Sequence, residues 1–207
     1  MNSDKDIFLF RHGDVEDRFK KRFRGALDVG LSPLGQKMSE VNADFLAKLP
    51  IDLVITSGLQ RTDFVGKLVK AKGVAHLVER RFREAQFGDW EGKNWEEVIA
   101  LYPEESKRYK EDFLNMQFPG GESVATLRSR LDEAWCEVVK RPEKRIAIIG
   151  HSTGNGCLMA NLKGTTFAKA GMQLLGSYHH IRITGSKAQV LSENIVLFDE
   201  LGLPLQK

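Results

Sequence analysis

The stretch Ile7-Phe-Leu-Phe-Arg-His-Gly13 joins four consecutive apolar residues to an arginine, a histidine and a glycine. A short apolar run of this kind, rich in residues that favour strands, is typical of a strand buried on both faces of a sheet. Similar runs follow at Asp52–Thr56 and Arg145–Ile149, and another lies near the end at Asn194–Phe198. We therefore predict a sheet of buried strands whose first member leads directly into Arg11 and His12.

Helical patterns separate these strands. Ser32 and Pro33 have the residue types of an N-cap and a first helical position, and they precede an apolar face formed by Leu34, Met38, Val41, Phe45 and Leu49. Ser57-Gly-Leu-Gln60 has capping-box spacing, and a third helix is predicted from Ser123 to just before Pro142. Strands that alternate with helices predict an α/β fold. We expect one three-layer domain over residues 1–207, with a mostly parallel sheet and helices on both faces.

The composition excludes several classes of protein. Of 207 residues, 42% are apolar, and 31 lysines and arginines nearly balance 28 aspartates and glutamates. Such a chain can bury a sizeable core, which excludes wholesale disorder and collagen-like repeats. The first ten residues lack the long apolar core of a signal peptide, no apolar run approaches a membrane span, and Cys136 and Cys157 are far apart. We expect a cytoplasmic protein with reduced thiols and no membrane partner.

Three predicted strand ends carry reactive or charged residues. Arg11-His12-Gly13 follows the first strand, Arg61 follows the second after a short turn, and Gly150-His151 follows the third. In sheets of this kind, ligands bind beyond the carboxyl ends of the strands. Arginine forks bind phosphate and a neutral imidazole can act as a nucleophile, so the set predicts phosphoryl transfer. Gly13 would let the backbone approach the anion. A metal site is the weaker interpretation because no cysteine lies near either histidine, and we predict no metal and no cofactor.

These residues belong to a longer series of motifs. Phe10-Arg-His-Gly13 is followed in order by Arg24–Gly35, Thr56–Thr62, Arg83–Gly92, Pro119–Ser123 and Ile149–His151. The series resembles the histidine phosphatase superfamily, the phosphoglycerate mutase-like proteins, over nearly the whole chain.

The resemblance implies a role for each matching residue. His12 would be the nucleophile that forms a phosphohistidine, and Arg11, Arg61 and His151 would hold the phosphoryl oxygens. Glu84 would be the acid that protonates the leaving group. Among the acidic residues nearby, Glu84 is preferred to Glu79 and Glu91 because it matches the family position.

Two positions depart from the pattern of many relatives. Arg18 stands where they place an asparagine that touches phosphate, and Ser152-Thr153 replaces two glycines after the second histidine. We expect Arg18 and Ser152 to contact the phosphate as well. The alternative for the Ser152 and Thr153 hydroxyls is to cap the helix that follows. The resemblance also implies inserted helices around residues 94–116 that form a lid.

The predicted function is metal-independent hydrolysis of a small phosphorylated metabolite. The stretch after Glu84 is more similar to the phosphatase branch, with α-ribazole phosphatase-like and sugar-phosphate phosphatases as the nearest resemblances. Cofactor-dependent mutase-type transfer is the first alternative, and a binding module that has lost turnover is another. A homodimer is also possible.

Two further alternatives come from local motifs. Gly150-His-Ser-Thr-Gly154 matches the nucleophile elbow of an α/β serine hydrolase that would use Ser152, but no acid lies between Thr153 and Tyr178 to precede His179 or His180. The basic run Arg18–Arg24 has five cations in seven residues and could contact nucleic acid. We instead expect it to attract an anionic substrate and predict no nucleic-acid partner.

Overall fold

The computed structural model describes residues 4–205, in which six strands form one mixed sheet. The strands are β1 (Lys5–Arg11), β2 (Leu53–Thr56), β3 (His76–Val78), β4 (Arg145–Gly150), β5 (Tyr178–Thr184) and β6 (Lys187–Ile195). Their order across the sheet is β3-β2-β4-β1-β5-β6. The three pairings among β1 to β4 are parallel, and both pairings of β5 are antiparallel. The prediction of a mostly parallel α/β sheet is confirmed.

Seven helices accompany the sheet within the described residues. They are α1 (Pro33–Lys48), α2 (Gln60–Ala71), α3 (Trp95–Leu101), α4 (Pro103–Glu111), α5 (Val124–Lys140), α6 (Ser152–Lys163) and α7 (Phe167–Ala170). None of the helices in residues 4–205 combines the length and the apolar character that crossing a bilayer requires.

The two faces of the sheet have separate apolar cores. Successive strand residues point to opposite faces, so Ile7 and Leu9 pack with α5 and α6, whereas Phe8 and Phe10 pack with α1 and α2. Because helices cover both faces, the central strands can be apolar throughout. The predicted three-layer arrangement is confirmed.

Helix α1 begins as predicted but buries a different face. The Ser32 side chain accepts a hydrogen bond from the backbone N–H of Gly35, and Pro33 occupies the first turn. The predicted apolar face is only half-buried, and the fully buried positions are Gly35, Ser39, Asn42, Ala43 and Leu46. The helix lies so close to the loop after β1 that a Cβ on Gly35 would come within 1.9 Å of the Asp14 carbonyl oxygen. Small residues therefore decide which face packs inward.

The predicted capping box at Ser57 is wrong. Helix α2 begins at Gln60, and its N-cap residue, Leu59, has no side-chain cap. Asp28 supplies the missing acceptor, since its carboxylate receives the Gln60 backbone N–H at 2.6 Å. The hydroxyl of Ser57 instead faces Thr62 and His151.

The predicted strand Asn194–Phe198 is also wrong. Only Asn194 and Ile195 belong to a strand, and they end β6 in an antiparallel pair. Asn194 adopts a left-handed backbone conformation (φ 53°), which breaks the extended run. Its side-chain oxygen accepts hydrogen bonds from the Leu174 N–H and the Ser177 hydroxyl, so it organises a turn beside the sheet.

The inserted helices expected around residues 94–116 are present as α3 and α4. Asn94 and Glu97 form a capping box at the start of α3. Tyr109 of α4 packs with Phe23, Trp90 and Trp95, with ring centroids 5.6–6.2 Å from its own. This aromatic cluster joins α4 to the segment that follows β1.

Candidate active site

Neighbouring strand ends bring the two predicted histidines together. Arg11 of β1 is paired with Gly150 of β4, so His12 and His151 each lie one residue beyond the paired strands. The backbone N–H of His12 donates to the Gly150 carbonyl, and the two imidazole rings lie 5.3 Å apart, centroid to centroid. The convergence expected at this edge of the sheet is present.

His12 has one free ring nitrogen. Its Nδ1 lies 2.7 Å from the Gly13 carbonyl oxygen, which can only accept, so Nδ1 carries the proton and Nε2 is unprotonated in the neutral ring. The side chain is buried. Burial and the positive charges of Arg61 and Arg11 hold the pKa of His12 well below its usual range. The ring is therefore neutral, with a lone pair on Nε2.

Two buried arginines flank this ring. Arg61 donates to the carbonyl oxygens of Leu27 at 2.7 Å and Gly25 at 2.8 Å, and Arg11 donates to that of Gln173 at 2.5 Å. Burial lowers the pKa of each guanidinium to about 10, so both remain charged at neutral pH. Their hydrogen-bond partners are neutral carbonyls, and the charge is left to attract an anion.

Glu84 is the predicted acid that the structure brings to the same place. It lies in the segment between β3 and α3 and is buried, with an exposed fraction of 7%. One carboxylate oxygen accepts from the backbone N–H of Thr153, and the other accepts from those of Gly154 and Ala85, all at 3.0–3.1 Å. Helix α6 therefore fixes Glu84 beside His151.

Arg130 of α5 holds the chain segment that carries Glu84. Its guanidinium donates to the carbonyl oxygens of Arg81, Arg83 and Glu84 at 2.6–3.0 Å. The same group forms a bidentate pair with the buried carboxylate of Glu122. This clamp joins the Glu84 loop to α5, and sequence analysis gave no sign of it.

Glu91, one of the alternative acids, instead supports the backbone segment that holds Arg61. Its Oε1 accepts the backbone N–H groups of Ala26 at 2.8 Å and Phe87 at 3.1 Å. The segment around Ala26 supplies the two carbonyl oxygens that hold Arg61. Glu79, the third candidate, pairs with Arg81 on the far side of the loop.

The pocket above His12 is lined by cations and apolar groups. Its lining comprises Arg11, His12, Arg22, Phe23, Arg24, Gly25, Arg61, Glu84, Phe87, Tyr109, Ser152, Thr153 and Met172. Arg22 pairs with Glu97, whereas Arg24 makes a hydrogen bond to the Phe19 carbonyl oxygen. Arg24 and Arg22 come from the basic run that sequence analysis had singled out. Met172 lies in a turn before β5 and carried no signal in the sequence.

Two of the predicted phosphate contacts are placed elsewhere. The side chain of Arg18 is 74% exposed, pairs with Glu16 and lies over the Phe19 ring, so it does not line the pocket. Gly13 does not line the pocket, and a Cβ there would lie 2.6 Å from the Gly35 carbonyl oxygen, so packing against α1 also requires a glycine at this position. Ser152 does line the pocket, at the first residue of α6.

The residues needed for a serine hydrolase are not assembled around Ser152. His179 accepts the backbone N–H of Asn194, and His180 contacts Asp6, both on β5. Within residues 4–205, no three side chains of the types that bind metals (His, Cys, Asp, Glu) form a cluster suited to an ion. The assembled charges are suited to an anion.

Comparison with known proteins agrees with this geometry. The family model of the histidine phosphatase superfamily (branch 1) matches residues 7–196. Phosphoserine phosphatase 1 of Hydrogenobacter thermophilus is 30% identical over 165 residues, which are 79% of this chain and 78% of the relative. Glucosyl-3-phosphoglycerate phosphatase of Mycobacterium tuberculosis H37Rv is 28% identical over 155 residues, covering 70% and 69%. The α-ribazole phosphatase structure from Shigella flexneri superposes with a TM-score of 0.81 at 19% identity, covering 98% and 100%.

Proposed function

The chain belongs to the histidine phosphatase superfamily, and we propose that it is a phosphatase that hydrolyses a small phosphorylated metabolite through a phosphohistidine, without a metal ion. The observation that carries the proposal is His12, whose unprotonated Nε2 lies at a pocket with two buried, charged arginines and a carboxylate.

The first half-reaction is phosphoryl transfer to His12. The Nε2 lone pair attacks phosphorus, the N–P bond forms and the P–O bond to the ester oxygen breaks. Arg11 and Arg61 stabilise the negative charge on the phosphoryl oxygens. Glu84 reacts in its carboxylic acid form: its O–H bond breaks as it gives the proton to the departing alkoxide, which leaves as the alcohol. The pocket lining supports this scheme, because it includes all four of these side chains.

The second half-reaction releases phosphate. Glu84, now a carboxylate, takes a proton from water, and the oxygen attacks phosphorus as the N–P bond breaks. His12 regains its lone pair and inorganic phosphate leaves. The mutase-type alternative uses an organic hydroxyl in place of this water, so the two reactions differ only in the acceptor.

The test is hydrolysis of p-nitrophenyl phosphate in the presence of EDTA. Wild type should turn over, and His12→Ala should lose at least about 10³-fold in kcat, because it removes the nucleophile. His180→Asn is the matched control, since His180 lies on β5 outside the pocket. Wild-type turnover by His12→Ala, or loss of wild-type activity on chelation, would show that the proposal is wrong. Adding glycerol separates hydrolysis from transfer, because a transferase would pass part of the phosphoryl group from His12 to a glycerol hydroxyl, giving glycerol phosphate in place of inorganic phosphate.

A further inference from the structure

His151 has one ring nitrogen with a partner and one without. Its Nε2 lies 2.8 Å from the hydroxyl oxygen of Ser57. Its Nδ1 is fully buried and, within the described residues, has no hydrogen-bond partner. An unpaired polar atom inside a protein is costly. The His151 ring lies 5.3 Å from that of His12, centroid to centroid, so this nitrogen is a candidate partner for an anion that binds beside His12.

The direction of each hydrogen bond around Ser57 follows from Thr62. The Thr62 hydroxyl donates to the Leu59 carbonyl oxygen at 2.9 Å, so its single proton is used. It must then accept from the Ser57 hydroxyl, 2.9 Å away, which uses the single proton of Ser57. The Ser57 oxygen can therefore only accept from His151. The proton of neutral His151 is on Nε2, and Nδ1 is a bare acceptor.

A bare acceptor cannot bind an anion. An oxygen of a phosphate dianion brings a lone pair, and a second lone pair on Nδ1 would repel it. Nδ1 can donate to the anion only if the ring gains a proton while Nε2–H keeps its bond to Ser57. The groups around His151 that favour the neutral ring are Arg61 on α2, His12 and Arg11 at β1, and Arg130 on α5. Glu84 is the acidic group beside the ring, and its oxygens already accept the N–H groups of Thr153 and Gly154.

We infer that anion binding at this site is coupled to uptake of one proton by His151, and that Ser57 and Thr62 enforce the coupling by fixing the tautomer. The inference rests on the proposed function, because it assumes that the pocket beside His12 binds a phosphoryl group. Burial and the neighbouring positive charges hold the pKa of His151 well below its usual range in the free protein. A bound dianion opposes those charges and favours the imidazolium.

Ser57 and Thr62 are thus positioning residues. Ser57 and His151 are 94 positions apart in the chain, and both are fully buried. Without the Ser57 oxygen, neutral His151 can move its proton to Nδ1 and donate to the anion with no uptake. The buried Nε2–H of an imidazolium would also lose its acceptor, so the charged form would be disfavoured.

Sulfate is the probe, because it is a tetrahedral dianion that carries no proton at neutral pH. Its binding is measured by calorimetry in two buffers of different ionisation enthalpy, which counts the protons taken up. The measurement uses the full chain with His12→Asn, so that His12 cannot titrate and any proton uptake can be assigned to His151. We expect uptake of about one proton and an affinity that falls about tenfold per pH unit above neutrality.

Two further variants, each combined with His12→Asn, test whether Ser57 and His151 couple anion binding to proton uptake. Ser57→Ala should bind sulfate with clearly reduced uptake and a flatter pH dependence. His151→Asn should show no uptake, because its amide N–H can donate without a proton from solvent. In the wild-type background, the same His151→Asn change should lower the uptake by about one proton.

Failure of this inference can be distinguished from failure of the proposed function. Sulfate binding without proton uptake, or proton uptake that persists in Ser57→Ala, would show that the coupling is wrong. Neither result would contradict the anion site. Absence of sulfate binding to wild type would overturn the anion site, and the coupling with it.

Discussion

A carboxylate oxygen of Glu84 lies 3.1 Å from the backbone nitrogen of Thr153, two residues after His151, although 69 positions separate the two residues. This bond ties the proposed acid to the N-terminus of α6, the helix that begins immediately after the second histidine. The proposed acid is therefore fixed to the helix that begins directly after His151.

Replacing Glu84 should affect poor leaving groups most. Glu84→Gln still offers an oxygen to the N–H groups of α6 but has no proton to give. We expect kcat to fall by about 10²–10⁴ with alkyl phosphates and much less with p-nitrophenyl phosphate, whose leaving group needs little protonation. The measurement is kcat across a series of phosphomonoesters. Glu79→Gln is the control, since Glu79 lies outside the pocket, and equal losses for all esters would point to another acid.

Replacing Arg24 should weaken substrate binding. Its half-buried guanidinium lines the pocket and donates to a neutral carbonyl oxygen, so its charge is available to an anionic substrate. Loss of one charge-assisted hydrogen bond in Arg24→Gln should raise KM by about 10–100-fold, with a smaller effect at high salt.

Arg18→Gln is the matched control from the same basic run. Arg18 is exposed and paired with Glu16, so we expect its KM to change by less than about twofold. If Arg18→Gln raised KM as much as Arg24→Gln, the exposed Arg18 would also contribute to substrate binding.

Glu91 should support catalysis without touching substrate. Glu91→Ala removes the carboxylate that accepts the Ala26 N–H. The neighbouring carbonyl oxygens of Gly25 and Leu27, which hold Arg61, would then lose their support. A displacement of Arg61 by about 1 Å would lower kcat/KM by roughly 10²-fold. Glu91→Gln keeps an accepting oxygen and should retain most of the activity. The assay is steady-state hydrolysis of p-nitrophenyl phosphate, and equal damage by both changes would assign the effect to the charge of Glu91 instead.

Stability should fall at acidic pH because His12 and His151 are both buried. The pKa values of His12 and His151 are held well below the usual range by burial and nearby cations. Below about pH 6.5 the unfolded chain binds more protons than the folded chain, so the free energy of unfolding decreases as the pH falls toward the folded-state pKa values. Each histidine contributes up to about 1.4 kcal/mol per pH unit in this window.

Urea unfolding at about pH 7.5 and about pH 5.5 measures this effect. A variant with both His12→Asn and His151→Asn should lose less stability over the interval than wild type. Loss of the same size in both proteins would mean that other groups cause the acid sensitivity.

The amino-acid sequence by itself predicted the α/β class, which is confirmed, and four residues of the candidate site. Arg11, His12, Arg61 and His151 could be assigned because each follows an apolar strand directly or after one short turn. Parallel strands end at the same edge of a sheet, so local spacing is enough to bring such residues together. The predicted start of α1 at Ser32 also succeeded, because a helix cap depends on neighbours within one turn.

Only the tertiary structure decided which residues complete the site. Arg18 and Arg24 lie in the same basic run, yet only Arg24 lines the pocket, because the direction of a loop side chain depends on packing against distant residues. Ser57 has the spacing of a helix cap, but its hydroxyl meets His151 across the sheet edge. A local sequence pattern indicates which interactions a side chain can make, and the three-dimensional contacts determine which of these interactions forms.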